Sequence, residues 1–308
     1  MSDGSLTGAR VLVTGASGFV GAHVCRALAA AGAEVQALER GRLGDAGSLA
    51  EHLTRLRPTH LVHLAGLRGD APGGWPAHQE ANVLPTAWLL EAAVMSRCDP
   101  MVLIASSSAV YGAAPAHDQP LREDQPPRPL TPYGVSHVAK EMLALQAHLA
   151  HRLRTVRVRM FNLVGPGQPE TLLASSLARQ VAAGERQGGT IVIRVGNVFP
   201  RRDYLDVRDA ARAYVLLAGA AVPGEVYNVC SGRSASVQEC VDLLAAAAGQ
   251  PFRVDVDPAR VRSVEILEQR GDAGRLRELT GWTPEIPLGS SLRDLLEEWR
   301  AREAAVVP

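Results

Sequence analysis

The segment best suited to holding a ligand begins at position 14. Thr14-Gly15-Ala16-Ser17-Gly18-Phe19-Val20-Gly21 follows a short apolar run and opens a stretch of helical spacing. A dinucleotide site needs this order. The first glycine permits a tight turn, the middle one lets a pyrophosphate approach the backbone, and the last lets the helix pack on the sheet. Free amides and the positive end of the helix dipole then face the phosphates. The G-x-x-G-x-x-G spacing differs from the commoner G-x-G-x-x-G, and an ordinary strand–helix turn is the alternative. The strand before it and the helix after it favour phosphate binding. Glu39 and Arg40 stand at the end of the next strand, with Arg42 close by. An acid there accepts ribose hydroxyls, whereas an arginine holds a 2′-phosphate. Both signals are present, and the sum tilts the expectation towards NADP(H) over NAD(H). Two solvated surface charges are the competing explanation.

The elements that would position these residues alternate. Strands are expected at 11–13, 34–38, 60–65, 101–105 and 155–159. Helices are expected at 19–31 with Gly32 as cap, at 49–56 closed by Pro58, at 83–96 and at 136–152. Residues 113–132, rich in proline and polar side chains, read as a surface loop. Such alternation specifies an α/β fold, a Rossmann-like doubly wound parallel sheet. After Gly165 the pattern changes. Helical pieces near 172–184, 207–218 and 237–248 mix with short strands at 190–195 and 253–256. That suggests a smaller C-terminal α/β substrate lobe interleaved with the first. The expected division is 1–165 for the dinucleotide-binding domain and 166–308 mainly for the lobe.

Composition narrows the classes. The 308 residues are 46% hydrophobic, and 32 basic residues balance 32 acidic ones, so the net charge is zero. A general nucleic-acid or anionic-membrane surface is not expected. Lys140 is the sole lysine; every other basic position is arginine. Cys25, Cys98, Cys230 and Cys240 are far apart, which fits reduced thiols rather than zinc or a disulfide framework. No His, Asp or Glu cluster has metal spacing. The N-terminal residues lack a signal-peptide core, and the longest apolar stretch, around 210–222, is too short to span a bilayer. A cytoplasmic location follows as the expectation.

Beyond the glycine turn, several segments resemble the extended short-chain dehydrogenase/reductase superfamily. Leu61-Val62-His63-Leu64-Ala65-Gly66 is similar to its strand passing the adenosine. Asn82 matches a frequent structural asparagine. Ser106-Ser107-Ser108-Ala109-Val110-Tyr111-Gly112 resembles the strand end bearing the catalytic Ser or Thr. Pro132-Tyr133-Gly134-Val135-Ser136 resembles the catalytic tyrosine segment, and residues 159–168 resemble the substrate loop. The C-terminal half, through Gly196-Asn197, the 202–209 run, the 224–229 run and Thr280-Gly281-Trp282, is similar to reductases of nucleotide-linked 4-keto-6-deoxy sugars, of the GDP-4-dehydro-6-deoxymannose reductase type.

The resemblance implies roles. Tyr133 is the general acid/base and Ser107 its hydroxyl partner on the substrate oxygen. Gly15, Ser17, Gly18, Phe19, Val20, Gly21, Glu39, Arg40, Leu64, Ala65, Gly66, Tyr133 and His137 would line the cofactor. Ser108, Asn162, Arg202 and Arg262 would face the substrate, the arginines gripping a diphosphate. The chain departs from the pattern at one position. The lysine four residues after the tyrosine, which in the family holds the nicotinamide ribose and lowers the tyrosine's pKa, is His137 here. Lys140, seven residues after Tyr133, lies roughly two turns on and does not simply stand in. Either His137 replaces the lysine, or the substrate supplies the proton, or the chain binds cofactor without turnover.

The leading expectation is thus an NAD(P)H-dependent ketoreductase acting on a nucleotide-linked keto-deoxysugar. A ketoreductase for an aromatic polyketide is the second, with Trp75 in the 68–75 loop available for stacking. Sugar-nucleotide epimerisation and a non-catalytic NAD(P)-binding regulator are the others. The helices at 83–96 and 136–152 resemble a pair that dimerises in this superfamily, so a homodimer is expected.

Overall fold

Val11, Leu12 and Val13 are all buried, because the strand they form is covered on both faces. The computed structural model describes residues 5–69, 71–260 and 266–305, and only the backbone of Arg40 and Arg260. In chain order, the first half contains β1 (Arg10–Thr14), α1 (Phe19–Ala30), β2 (Glu34–Leu38), α2 (Ala46–Leu56), β3 (His60–His63), α3 (Gly74–His78), α4 (Leu84–Ser96), β4 (Met101–Ser107), α5 (Pro132–His151) and β5 (Arg154–Met160). The second half contains β6 (Asn162–Val164), α6 (Leu173–Gln187), β7 (Ile191–Val195), β8 (Arg201–Asp206), α7 (Val207–Ala220), β9 (Val226–Val229), β10 (Ser234–Ser236), α8 (Val237–Ala248), β11 (Phe252–Val256), β12 (Glu268–Gln269), α9 (Gly274–Thr280) and α10 (Leu288–Ala305).

The main sheet is parallel throughout, in the order β2-β1-β3-β4-β5-β9. Helices cover both faces, as the doubly wound expectation requires. α1 and α7 pack on one face with Val24, Leu28 and Tyr214, and α2, α4 and α5 on the other with Leu49, Leu53, Leu89 and Ala144. The chain leaves β1 for β2 on one side and returns to β3 on the other. The gap between the C-terminal ends of β1 and β3 is therefore the topological switch point, where open α/β sheets take their ligands. A second core, built by α6, α8 and α10 over β7, holds the C-terminal lobe together through Leu177, Val181, Leu244 and Leu295.

Three differences from the sequence reading have physical causes. Strand β9, not anticipated as a strand, lies at the edge of the main sheet, paired with β5. Helix α5 starts at Pro132, four residues before the expected 136. Pro132 sits in the first turn, where its missing N–H costs nothing, and the Thr131 hydroxyl accepts the Gly134 amide at 3.1 Å. The 68–75 segment, expected as loop, turns helical at Gly74 and continues through a π-helical turn (Gln79–Val83) into α4.

Candidate active site

The glycine turn is shaped by what cannot fit in it. A methyl group added at Gly21 would lie 2.0 Å from the Gly15 carbonyl oxygen, and one at Gly15 would lie 2.7 Å from the Ala65 amide nitrogen. Gly15 also adopts φ +71°, which glycine alone takes without strain. The Gly18 amide donates to the Gly15 carbonyl at 3.0 Å, so it is engaged within the turn. Helix α1 has no side-chain cap, so its first amides at Phe19, Val20 and Gly21 keep their donors for a ligand. The Gly15 contact with Ala65 closes the switch point from the β3 side. Leu64 and Ala65 are fixed there by the Thr14 carbonyl and hydroxyl, at 3.2 and 3.1 Å. These residues fit a pyrophosphate and a nicotinamide dinucleotide.

His63 is a structural residue here. Its Nδ1 meets the Thr14 hydroxyl at 2.8 Å and its Nε2 the Thr86 hydroxyl at 2.9 Å. Thr86 donates its own proton to the Asn82 carbonyl, so it accepts from Nε2–H, and Nδ1 accepts from Thr14. Burial pushes the His63 pKa well down, with Lys140 acting in the same sense.

At the β2 end, Glu39 is exposed and pairs with Arg42 at 3.7 Å. Beyond β3, the chain folds over the tyrosine: a methyl at Gly69 would touch the Tyr133 ring at 3.2 Å. Asn82 pins this stretch by accepting the Leu67 amide at 2.5 Å and donating to the Ser136 hydroxyl at 2.9 Å. Tyr133 thus sits at the N-terminus of α5, beneath the segment that starts at the switch point.

Ser107 ends β4, half-buried, and its hydroxyl accepts the Ala109 amide at 3.2 Å. The α5 start is pressed against this turn, since a methyl at Gly134 would lie 2.7 Å from the Ala109 carbonyl oxygen. Ser107 and Tyr133 therefore belong to one corner of the molecule. Ser108 points elsewhere: it is buried, and its hydroxyl donates to Gln269 Oε1 at 2.9 Å while the Gln269 amide returns a bond to the Ser108 carbonyl. No pattern in the sequence pointed to Gln269, because the pairing joins residues 161 positions apart.

His137 packs against Tyr133, with ring centroids 4.4 Å apart and planes inclined at 68°. It is 7% exposed, and its Nδ1 is buried without a hydrogen-bond partner. Burial drives its pKa well below the ordinary value, and Lys140, His78 and His63 push the same way against the Ala105 carbonyl. The ring is therefore neutral at pH 7. His78 also packs edge-on against Tyr133, with ring centroids 5.8 Å apart; sequence reasoning missed it, having no motif to place it.

Asn162 lies half-buried on β6, which pairs with β8. The neighbouring 165–168 loop reaches the glycine turn: His23 Nε2 meets the Pro166 carbonyl at 2.9 Å, and Gly167 approaches the Phe19 ring. Arg202 directs one terminal nitrogen to the Arg201 and Ile266 carbonyls at 2.9 and 2.6 Å, which anchors the guanidinium at the edge of the lobe. Arg262 lies outside the described residues. Among those described, no group of His, Cys, Asp or Glu is arranged for a metal, and no helix is long and apolar enough to cross a membrane.

Comparison with known proteins agrees with this geometry. Residues 11–230 match the NAD dependent epimerase/dehydratase family. A GDP-6-deoxy-D-mannose reductase of Pseudomonas aeruginosa is 38% identical over 95% of this chain and 98% of its own. A dTDP-6-deoxy-L-talose 4-dehydrogenase (NAD(P)(+)) of Kitasatospora kifunensis is 30% identical over 97% of both. The solved structure of RMD from Pseudomonas aeruginosa complexed with NADPH superposes with a TM-score of 0.87 at 36% identity, over 96% of this chain and 99% of that one.

Proposed function

The chain belongs to the NAD dependent epimerase/dehydratase family, and from that premise we propose that it reduces the keto group of a nucleotide-linked 4-keto-6-deoxy sugar with NADPH. It is an NAD(P)-dependent oxidoreductase of the extended short-chain dehydrogenase/reductase type with a Rossmann-like fold. The observation that supports the reading is a run of contacts. Gly15 abuts Ala65, and four residues further along the same strand-end segment Gly69 covers Tyr133. A dinucleotide with its pyrophosphate on the glycine turn would lie along Leu64, Ala65 and Gly66 and end at the tyrosine.

The bound nicotinamide would supply a hydride to the carbonyl carbon. Tyr133 would give its hydroxyl proton to the carbonyl oxygen, and Ser107 would hydrogen-bond that oxygen, leaving an alcohol and a phenolate that takes a proton back from solvent. Asn162 and Arg202 would meet the sugar nucleotide from the lobe. NADPH is favoured over NADH because Arg42 partly neutralises Glu39, and because the reductase of similar structure was solved with NADPH. A homodimer would form through α4 and α5, whose Met95, Val135, Met142 and Leu149 are apolar and exposed.

The test is coenzyme oxidation with a panel of sugar nucleotides. One NADPH consumed per alcohol formed is expected, with Tyr133→Phe lowering kcat about 100-fold or more. Sugar inverted at C4 with no net coenzyme consumption would replace this reading with epimerisation. UDP-glucose 4-epimerases, such as that of Azospirillum brasilense at 33% identity, are also relatives.

A further inference from the structure

Lys140 is the sole lysine in the chain, against a background in which every other basic residue is arginine. It is 1% exposed and, among the described residues, no atom accepts a hydrogen bond from its ammonium. Residues seven apart on a helix lie within about 20° of the same meridian, so Lys140 shares the face of Tyr133. Helical side chains lean towards the N-terminus. A lysine's reach of about 6 Å spans one turn, returning its head to the level of His137. Its placement agrees: a methyl at Gly66 would lie 4.0 Å from Lys140 Nζ and 2.8 Å from Asn82 Oδ1. The ammonium thus sits beneath the segment that covers Tyr133.

We propose that Lys140 is the cation of this active site, acting as a positioning residue that holds Tyr133 in its working protonation range from one helical turn deeper, with neutral His137 packed against the tyrosine in front of it. This rests on the reading of Tyr133 as acid/base. A free phenol titrates near 10, so working near neutrality requires a positive charge close by. His137 does not provide one, being neutral through burial. An arginine there would keep its charge at every working pH and could not be tuned. Retention of one lysine in an arginine-rich chain, at this buried position, is what such a requirement predicts.

The groups facing Lys140 are few. His63 comes from β3, and His137 and Glu141 from α5. The Glu141 carboxylate is already engaged by Arg159 and Ser106. Burial lowers the Lys140 pKa to about 8, with Glu141 the only opposing influence. The lysine is therefore largely charged at neutrality and discharges just above it.

The test combines Lys140→Met with a spectroscopic readout. Phenolate absorbance of the apo-protein is titrated in the wild-type and K140M backgrounds, each against the matching Tyr133→Phe variant. The Tyr133 titration is expected to move up by at least about one unit in K140M, and kcat to fall about 100-fold with little change in NADPH affinity. The H137K/K140M double variant, which moves the ammonium one turn nearer, should recover at least about tenfold of the lost kcat. If K140M does not fold, K140Q is titrated instead. An unmoved phenolate titration overturns the proposal, and so does a double variant no better than K140M in a wild type that turns over. A wild type that turns over no keto sugar sinks the functional reading alone, because the titration needs no substrate.

Discussion

Two buried cations meet at helix α5, Lys140 within it and Arg159 on the neighbouring β5, and their surroundings differ completely. Arg159 is held in a bidentate pair by Glu141, at 2.9 and 2.8 Å, and also donates to the Tyr111 hydroxyl at 2.9 Å. Tyr111 donates its proton to Asn228 of β9 at 2.7 Å. These polar groups satisfy one another, and the network ties α5, the β4 turn, β5 and β9 into one block. Lys140, adjacent to Glu141 in sequence, has no acceptor among the described residues. A paired buried charge fixes structure, whereas an unpaired one carries a desolvation cost that marks a candidate functional group.

The largest effect should come from breaking the satisfied side. Glu141→Ala leaves the Arg159 guanidinium buried and uncompensated, with side chains only 5% and 2% exposed in the wild-type pair. Loss of one member of a buried pair costs about 3–5 kcal/mol. Denaturant unfolding should report a loss in this range; a loss under about 1 kcal/mol would mean that Arg159 finds other partners and that the contrast is weaker than drawn.

Breaking the other side should act in the opposite direction. Lys140→Met removes an unpaired buried charge and keeps the volume, so stability should rise by about 1–3 kcal/mol while turnover falls. In a chain of this size that corresponds to roughly 1.5 °C in melting temperature per kcal/mol. A variant both less stable and less active would identify Lys140 as a packing residue.

The same asymmetry should appear with pH. The folded-state pKa of Lys140 is depressed from 10.5 to about 8. Between these values the unfolded chain binds more protons than the native one, so this group's contribution to stability rises with pH across that window. Below about 8 the lysine is charged in both states and its burial cost is fully felt. Wild type minus K140M, measured by unfolding at about pH 7 and about pH 10, should isolate the rise; parallel curves would remove it. Other groups titrating in the window cancel in the difference.

These two sites were unequally legible in the sequence. The glycine turn could be read because a backbone that must approach Ala65 and a ligand tolerates no side chain at Gly15 or Gly21, and that constraint fixes residue type at fixed spacing. The sheet's inner strands followed from apolar runs such as Val11–Val13. Strand β9 did not, since four buried residues have no period to show and its neighbour β5 is distant in the chain. The start of α5 was written in Thr131-Pro132, a cap followed by a proline that opens a helix, yet proline was read as loop. At the tyrosine, side chains do the chemistry, and a side chain can reach one site from several positions. Counting residues from Tyr133 puts Lys140 two turns away along the backbone, and the role proposed for it adds the lysine's backward reach of one turn.

The smallest effect sharpens the boundary between the two cations. Ser106 donates to Glu141 Oε1 at 2.5 Å, next to the bond from Arg159 Nε. Ser106→Ala should cost about 1.5–3 kcal/mol, the worth of one hydrogen bond to a charged group, with Arg159 still paired. It should also leave Glu141 with one fewer donor, and so with more of its negative potential to act on Lys140. The expected result is a small upward move of the alkaline limb of kcat, with kcat at neutral pH held within about twofold. A shift in stability with no movement of that limb would mean that Glu141 belongs wholly to Arg159, and that the two cations, on either side of that carboxylate, work without reference to each other.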